Sequence, residues 1–259
     1  MRRERILFPG AMGERLAALL DLPEENPIAF VLFAHCFTCS KDLTAVTRIS
    51  YELNQTRMAT FRFDITGLGH SDGEFANTNF SSNVQDLIAA ADYLRTHHEA
   101  PRILIGHSLG GTAVLASAKD IPEAKAVATI GAPFEPAELI HLLPGDALEA
   151  INSAGRAEVS IGGRIFHIKK QFLEDINEQN MSQHVAGLGK ALLVFHSPND
   201  EIVRPENADK IYQAAQHPKS LVSLDDADHL LTRKEDAEYV AVVLSAWASR
   251  YISAPETEL

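Results

Sequence analysis

At the middle of the chain stands Arg102-Ile103-Leu104-Ile105-Gly106-His107-Ser108-Leu109-Gly110-Gly111, continued by Thr112-Ala113-Val114-Leu115-Ala116. Ile103 to Ile105 is a short apolar run of the kind that forms a buried strand in a parallel sheet. It ends in Gly-x-Ser-x-Gly, and the residues that follow are small and helix-compatible. Such a strand-to-helix turn is a nucleophile elbow: the serine sits in a strained backbone conformation with its hydroxyl presented outward. Gly106 and Gly110 are needed because a Cβ at either place would collide with the neighbouring strand or helix. The turn also puts Ser108 at a helix N-terminus, where free N–H groups and the helix dipole favour developing negative charge.

Working outward, strands and helices alternate. Residues 5–8 and 15–22 read as an antiparallel pair turned at Pro9–Gly13. Ile28 to Ala34 is a continuous apolar strand that ends at His35-Cys36-Phe37. Val46, Ile49 and Leu53 form the stripe of an amphipathic helix. Met58 to Ile65 is the next strand, and Asp64 at its end is read as a structural carboxylate bonding loop amides. Ser82 and Gln85 predict a capping box ahead of a second helix. Ala124 to Ile130 is a strand, after which the pattern breaks from Glu135 to about Gly189. That segment reads as a lid, with a hairpin from Glu158 to Lys169 turned at Gly162-Gly163. Lys190 to His196 resumes the core. A helix over 206–216, a strand over 220–224 and a final helix opened by Thr232 and Glu235 complete the chain.

The 259 residues suffice for one α/β domain with an insertion. A net charge of −12 argues against nucleic acid or an anionic membrane as partner. Met1-Arg2-Arg3 is followed by too short an apolar run for a signal peptide, so a cytoplasmic protein is expected. Cys36 and Cys39 have Cys-x-x-Cys spacing, which raises a redox pair or half a zinc site. With no second pair and no small βαβ context, the plainer reading is two small thiols in a loop.

A serine hydroxyl needs an adjacent base, and histidine suits because it exchanges a proton near neutral pH. Of 11 histidines, His229 lies after the last strand, at the edge where Ser108 emerges. His107, beside the serine, is expected to pack under the elbow, His35 to shape the loop after its strand, and His196 to be a core histidine. Four aspartates compete for the acid: Asp200, Asp225, Asp226 and Asp228. Asp200 is preferred because it sits on the neighbouring strand's end, in a Pro-Asn-Asp turn, and approaches His229 from the side.

From about Arg5 to Tyr251 the chain resembles the α/β-hydrolase superfamily. More narrowly, His35–Lys41 (His-Cys-Phe-Thr-Cys-Ser-Lys) and Arg62–Ser71 (Arg-Phe-Asp-Ile-Thr-Gly-Leu-Gly-His-Ser) resemble hydrolase domains often joined to a peroxiredoxin-like domain of the osmotically-inducible-protein-C type. The resemblance implies a mostly parallel, doubly wound sheet of about eight strands with an inserted lid over 135–189. It implies a Ser108-Asp200-His229 triad, with an oxyanion hole from the amides of Leu109 and Phe37, although Cys36 stands where glycine is usual in that loop. The expected activity is a serine carboxylesterase, free of metal and organic cofactors, acting on small to medium acyl esters. Phe134, Leu143 and Phe172 are expected at the substrate. The alternatives are a degenerate binding or scaffold protein, and a thiol-dependent partner of a peroxiredoxin acting through Cys36 and Cys39. A perhydrolase side activity would share the triad.

Overall fold

The computed structural model describes residues 1–36, 39–161 and 164–252. An antiparallel pair, β1 (Arg2–Pro9) and β2 (Arg15–Leu22), opens the chain. Then come β3 (Ala29–Ala34), α1 (Thr44–Gln55), β4 (Met58–Phe63), α2 (Phe80–His97), β5 (Ile103–His107), α3 (Leu109–Ser117) and β6 (Ala126–Ile130). An inserted segment follows: a 3₁₀ turn over Pro136–Leu142, α4 (Gly145–Ala154), the β7 (Arg156–Ile161) and β8 (Arg164–Lys169) hairpin, α5 (Lys170–Glu178) and α6 (Met181–Ala186). The chain returns through β9 (Ala191–His196), α7 (Glu206–Ala214), β10 (Lys219–Ser223) and α8 (Lys234–Ile252).

Eight strands form one sheet in the order β1-β2-β4-β3-β5-β6-β9-β10. Every pairing from β4 to β10 is parallel, and β2 joins β4 antiparallel. The order reverses at β3: the chain leaves outward to β4 and returns to β5 on the other side. A crevice opens at the carboxyl ends of strands at such a reversal. Here the residues beyond β3 and β5, starting at His35 and Ser108, are its two lips.

Strand alternation sorts the core into two layers. Leu104, Val127 and Val194 face one way, under α2, α3 and the inserted segment. Ile103, Ile105, Ala128 and Phe195 face the other, under α1 and α8. The α1 stripe Val46, Ile49 and Leu53 is buried there as its spacing predicts.

Three details depart from expectation. The second helix begins at Phe80, with Asn79 as its cap. Ser82, expected as the cap, is instead its third-residue partner, so the pair bonds reciprocally three positions earlier than the Ser82–Gln85 reading. Thr232 turns its hydroxyl to Asp228, and α8 starts only at Lys234. Cys36 and Cys39 are joined in a disulfide rather than left as thiols. The Cys39 amide donates to the Cys36 carbonyl at 3.0 Å, and this turn brings the two Cα atoms within 5.2 Å, a separation that a disulfide spans.

Candidate active site

Ser108 follows the last residue of β5 and caps α3, with φ 55° and ψ −128°. A non-glycine residue tolerates this left-handed backbone only when its surroundings fix it. They do so here: the Ser108 amide donates to Ile130 at 2.8 Å, and its carbonyl accepts from Gly111 at 2.8 Å. A Cβ on Gly106 would lie 2.2 Å from the Gly110 oxygen, and one on Gly110 2.4 Å from the His35 oxygen. Both glycines are therefore required for strand, helix and the loop after β3 to meet.

Asp200 and His229 come from the ends of β9 and β10, two neighbouring parallel strands. His229 Nδ1 donates to Asp200 Oδ2 at 2.7 Å, and the other carboxylate oxygen accepts from the amides of Ile202 and Val203 at 2.9 and 2.8 Å. Burial alone would raise the Asp200 carboxyl; the hydrogen bond and charge of His229 and the two amides outweigh it and hold the group low. The three rival aspartates sit otherwise. Asp225 accepts from the Ser223 hydroxyl, Asp228 caps the Thr232 amide, and among the described residues no hydrogen bond joins Asp226 to His229, whose Nδ1 is held by Asp200. Gly131, at φ 55°, packs its backbone against this pair: a Cβ there would stand 3.1 Å from Asp200 Oδ2 and 3.3 Å from His229 Nδ1. The sequence signal for this approach is a glycine directly after an apolar strand.

Three further histidines, His196, His107 and His35, are buried near the site. His196 Nε2 donates to the Val203 carbonyl at 2.9 Å and lies 3.5 Å from Asp200 Oδ2. His107 Nε2 lies 2.6 Å from the His229 carbonyl. Burial, with the charge of His229 adding to it, pushes His107 down to about 3. His35 is buried, bonds the Cys36 carbonyl at 2.7 Å, and is also lowered by burial. Asp64 braces the same loop as expected, accepting from the amides of Lys41 and His70 at 2.7 and 2.9 Å and from Lys41 Nζ at 2.6 Å.

Ser108, Leu109 and His229 line one cavity of about 600 Å³. Cys36, Cys39 and Ser40 form part of one wall, and the inserted segment forms the other through Leu139, Ile140, Leu143, Ile168, Phe172 and Ile176. Leu143 and Phe172, expected at the substrate, line this cavity. Phe134 is not on this wall: it packs against the core, its amide bound to Asn207 Oδ1 at 2.8 Å. Phe37 lies outside the described residues. Among the described residues, no group of acidic, histidine or cysteine side chains has a metal-holding arrangement.

Residues 25–165 match the family described as serine aminopeptidase, S33. The chain belongs to that family. It is 52% identical to the esterase domain of a Rhodothermus marinus protein, a solved structure of which it covers all, with 98% of this chain matched and a TM-score of 0.82. Est1E from Butyrivibrio proteoclasticus, solved with ferulic acid, is similar in fold, with TM-score 0.83 over 96% of this chain and all of that one, at 22% identity. The mouse mitochondrial palmitoyl-protein thioesterase ABHD10 is 28% identical over 187 residues, 69% of this chain. The chain spans 61% of that relative's length. The fold is that of an α/β hydrolase. No described helix is long and apolar enough to cross a membrane.

Proposed function

We propose that the chain is a serine esterase that hydrolyses small to medium acyl esters through Ser108, His229 and Asp200 and a covalent acyl-enzyme. The observation that carries this reading is the 2.7 Å bond from His229 Nδ1 to a buried Asp200, with Ser108 on the wall of the same cavity. In the reaction Ser108 Oγ attacks the acyl carbon while His229 Nε2 takes its proton. Asp200 fixes the tautomer and stabilises the imidazolium without taking the proton itself. The proton passes to the leaving oxygen, and His229 then activates water to release the acid. The amides of Leu109 and Phe37 bind the oxyanion; where one such donor has been measured it stabilises the transition state by about 2.7–4 kcal/mol.

The inserted segment serves in this reading as a lid, with Leu143 and Phe172 against the acyl chain. A thioester is attacked by the same machinery, and the thioesterase among the relatives favours testing it as a second acyl donor. The motifs at His35–Lys41 and Arg62–Ser71 support kinship with hydrolase domains joined to peroxiredoxin-like domains. A scaffold role has less support, because a protein without catalysis has no need of a buried carboxylate aligned on a histidine. The test is turnover of p-nitrophenyl esters and acyl thioesters of increasing chain length. Hydrolysis with an optimum at short or medium chains is expected, and no turnover above that of Ser108→Ala overturns the proposal.

A further inference from the structure

His107 ends β5, where strand alternation puts it on the same face as Ile103 and Ile105. That face is covered by the loop between β10 and α8, which carries His229. The loop is tied to the sheet at its start, where the Leu224 amide donates to the His196 carbonyl at 2.9 Å, and it passes through a left-handed Leu231 at φ 51°. Between these points His107 Nε2 meets the carbonyl of His229 at 2.6 Å, and the two rings stand 5.1 Å apart. A carbonyl only accepts, so Nε2 must carry the proton. Nδ1 is then the bare nitrogen, and it is buried with no partner among the described residues.

We infer that His107 is a positioning residue for the reaction: its Nε2–H, donated to the backbone of the proposed base, sets where the His229 ring stands relative to Ser108. This rests on the triad reading above. Asp200 fixes the His229 ring from Nδ1, and His107 fixes the main chain from which that ring hangs. The elbow strand thereby carries the nucleophile on one residue and the height of its base on the residue before. The charged and titratable groups facing His107 are His229, Asp200 and His35. A proton on His107 would add a cation 5.1 Å from the ring that must itself accept one, and burial keeps His107 neutral.

The test compares His107→Leu, which has no donor, with His107→Gln, whose side-chain amide reaches the position of Nε2, on a p-nitrophenyl ester. Misplacement of a reacting group by about 1 Å costs about 100-fold. We expect kcat of His107→Leu to fall about 10- to 100-fold with KM within about twofold, and His107→Gln to recover to within about threefold of wild type. Nitrogen-15 spectra of the wild-type histidines should show His107 as the Nε2–H tautomer, unprotonated at pH values where exposed histidines are charged. A folded His107→Leu enzyme with wild-type kcat overturns the inference, as does an Nδ1–H tautomer, or His107→Gln as impaired as His107→Leu. Should His107→Leu not fold, the Gln variant and the spectra still decide. An active His229→Ala variant would instead sink the triad itself.

Discussion

The two walls of the cavity are held in different ways. On the sheet side each candidate group is fixed by directional bonds: Ser108 through the Ile130 carbonyl, and Asp200 through two amides and His229. On the facing side, the inserted segment is held mainly by apolar side chains. Phe166 meets Phe75 edge-on at 5.7 Å, and Ile168, Phe172 and Ile176 join the core. Its described polar ties to the rest of the molecule include those of Asp175 to the amide and hydroxyl of Ser81 at the start of α2, at 2.8 and 2.6 Å. Hydrogen bonds with fixed geometry tolerate little displacement, whereas an apolar wall accepts volume-conserving exchange for less than about 1.5 kcal/mol. Under the proposed function, the sheet wall carries the chemistry and the facing wall is the one open to adjustment toward different acyl groups.

Substitutions separate the two. Ser108→Ala should cost about 10⁶-fold in kcat, by comparison with triads that lose their serine, and leave the melting temperature almost unchanged. A tenth of wild-type turnover in that variant would remove chemistry from the sheet wall. Asp200→Asn should cost about 10⁴-fold, because the amide offers His229 the wrong tautomer while keeping its shape. Measured beside Asp225→Asn and Asp226→Asn, it should be the only one of the three with a large loss. On the facing wall, Leu143→Ala should change the ratio of kcat/KM between long and short acyl esters by about tenfold. If instead the ratio holds and only the melting temperature falls, Leu143 belongs to the core.

The smallest effect on turnover, and the one confined to the sheet side, lies in the pH dependence of stability. His107 titrates at about 3 in the fold against 6.5 in the unfolded chain. Between those values the unfolded chain binds the proton and the native state does not, so stability falls as pH is lowered through that window. The depressed Asp200 carboxyl acts in the same direction at the acid end: its contribution is present above the unfolded carboxyl value and is lost as pH falls through the folded one. Melting temperatures followed from neutral pH downward should decline, with a shallower slope in His107→Gln. Equal slopes would show that the buried histidine is not what the acid state strains against.

The same contrast explains what could be read in advance. The placement of Ser108, Asp200 and His229 at one edge was legible because strand periodicity fixes where each strand ends, and the ends of β5, β9 and β10 share that edge. The glycines at 106 and 110 announced a close approach that the structure contains. Nothing comparable marks the inserted segment. Its apolar residues serve cavity and core alike: Leu143 and Phe172 line the cavity, Phe134 packs against the core, and Ile168 and Ile176, which also line the cavity, carry no sequence signal that separates them from core residues. The Cys36–Cys39 pairing was missed because it depends on a tight turn that the spacing permits without requiring. The bond from His107 to the His229 carbonyl joins residues 122 positions apart, and side-chain-to-backbone bonds of that span leave no local pattern.

The central claim, that the directional wall presents an activated serine, is tested most directly by trapping it. The protein is incubated with an alkyl fluorophosphonate, digested, and the adduct located by mass spectrometry while residual esterase activity is followed. One phosphonate per chain on Ser108, with activity falling in proportion to labelling and no adduct in His229→Ala, is the predicted result. An unlabelled Ser108 in a fully folded, esterase-active protein, or full inactivation by an adduct on another residue, would contradict it.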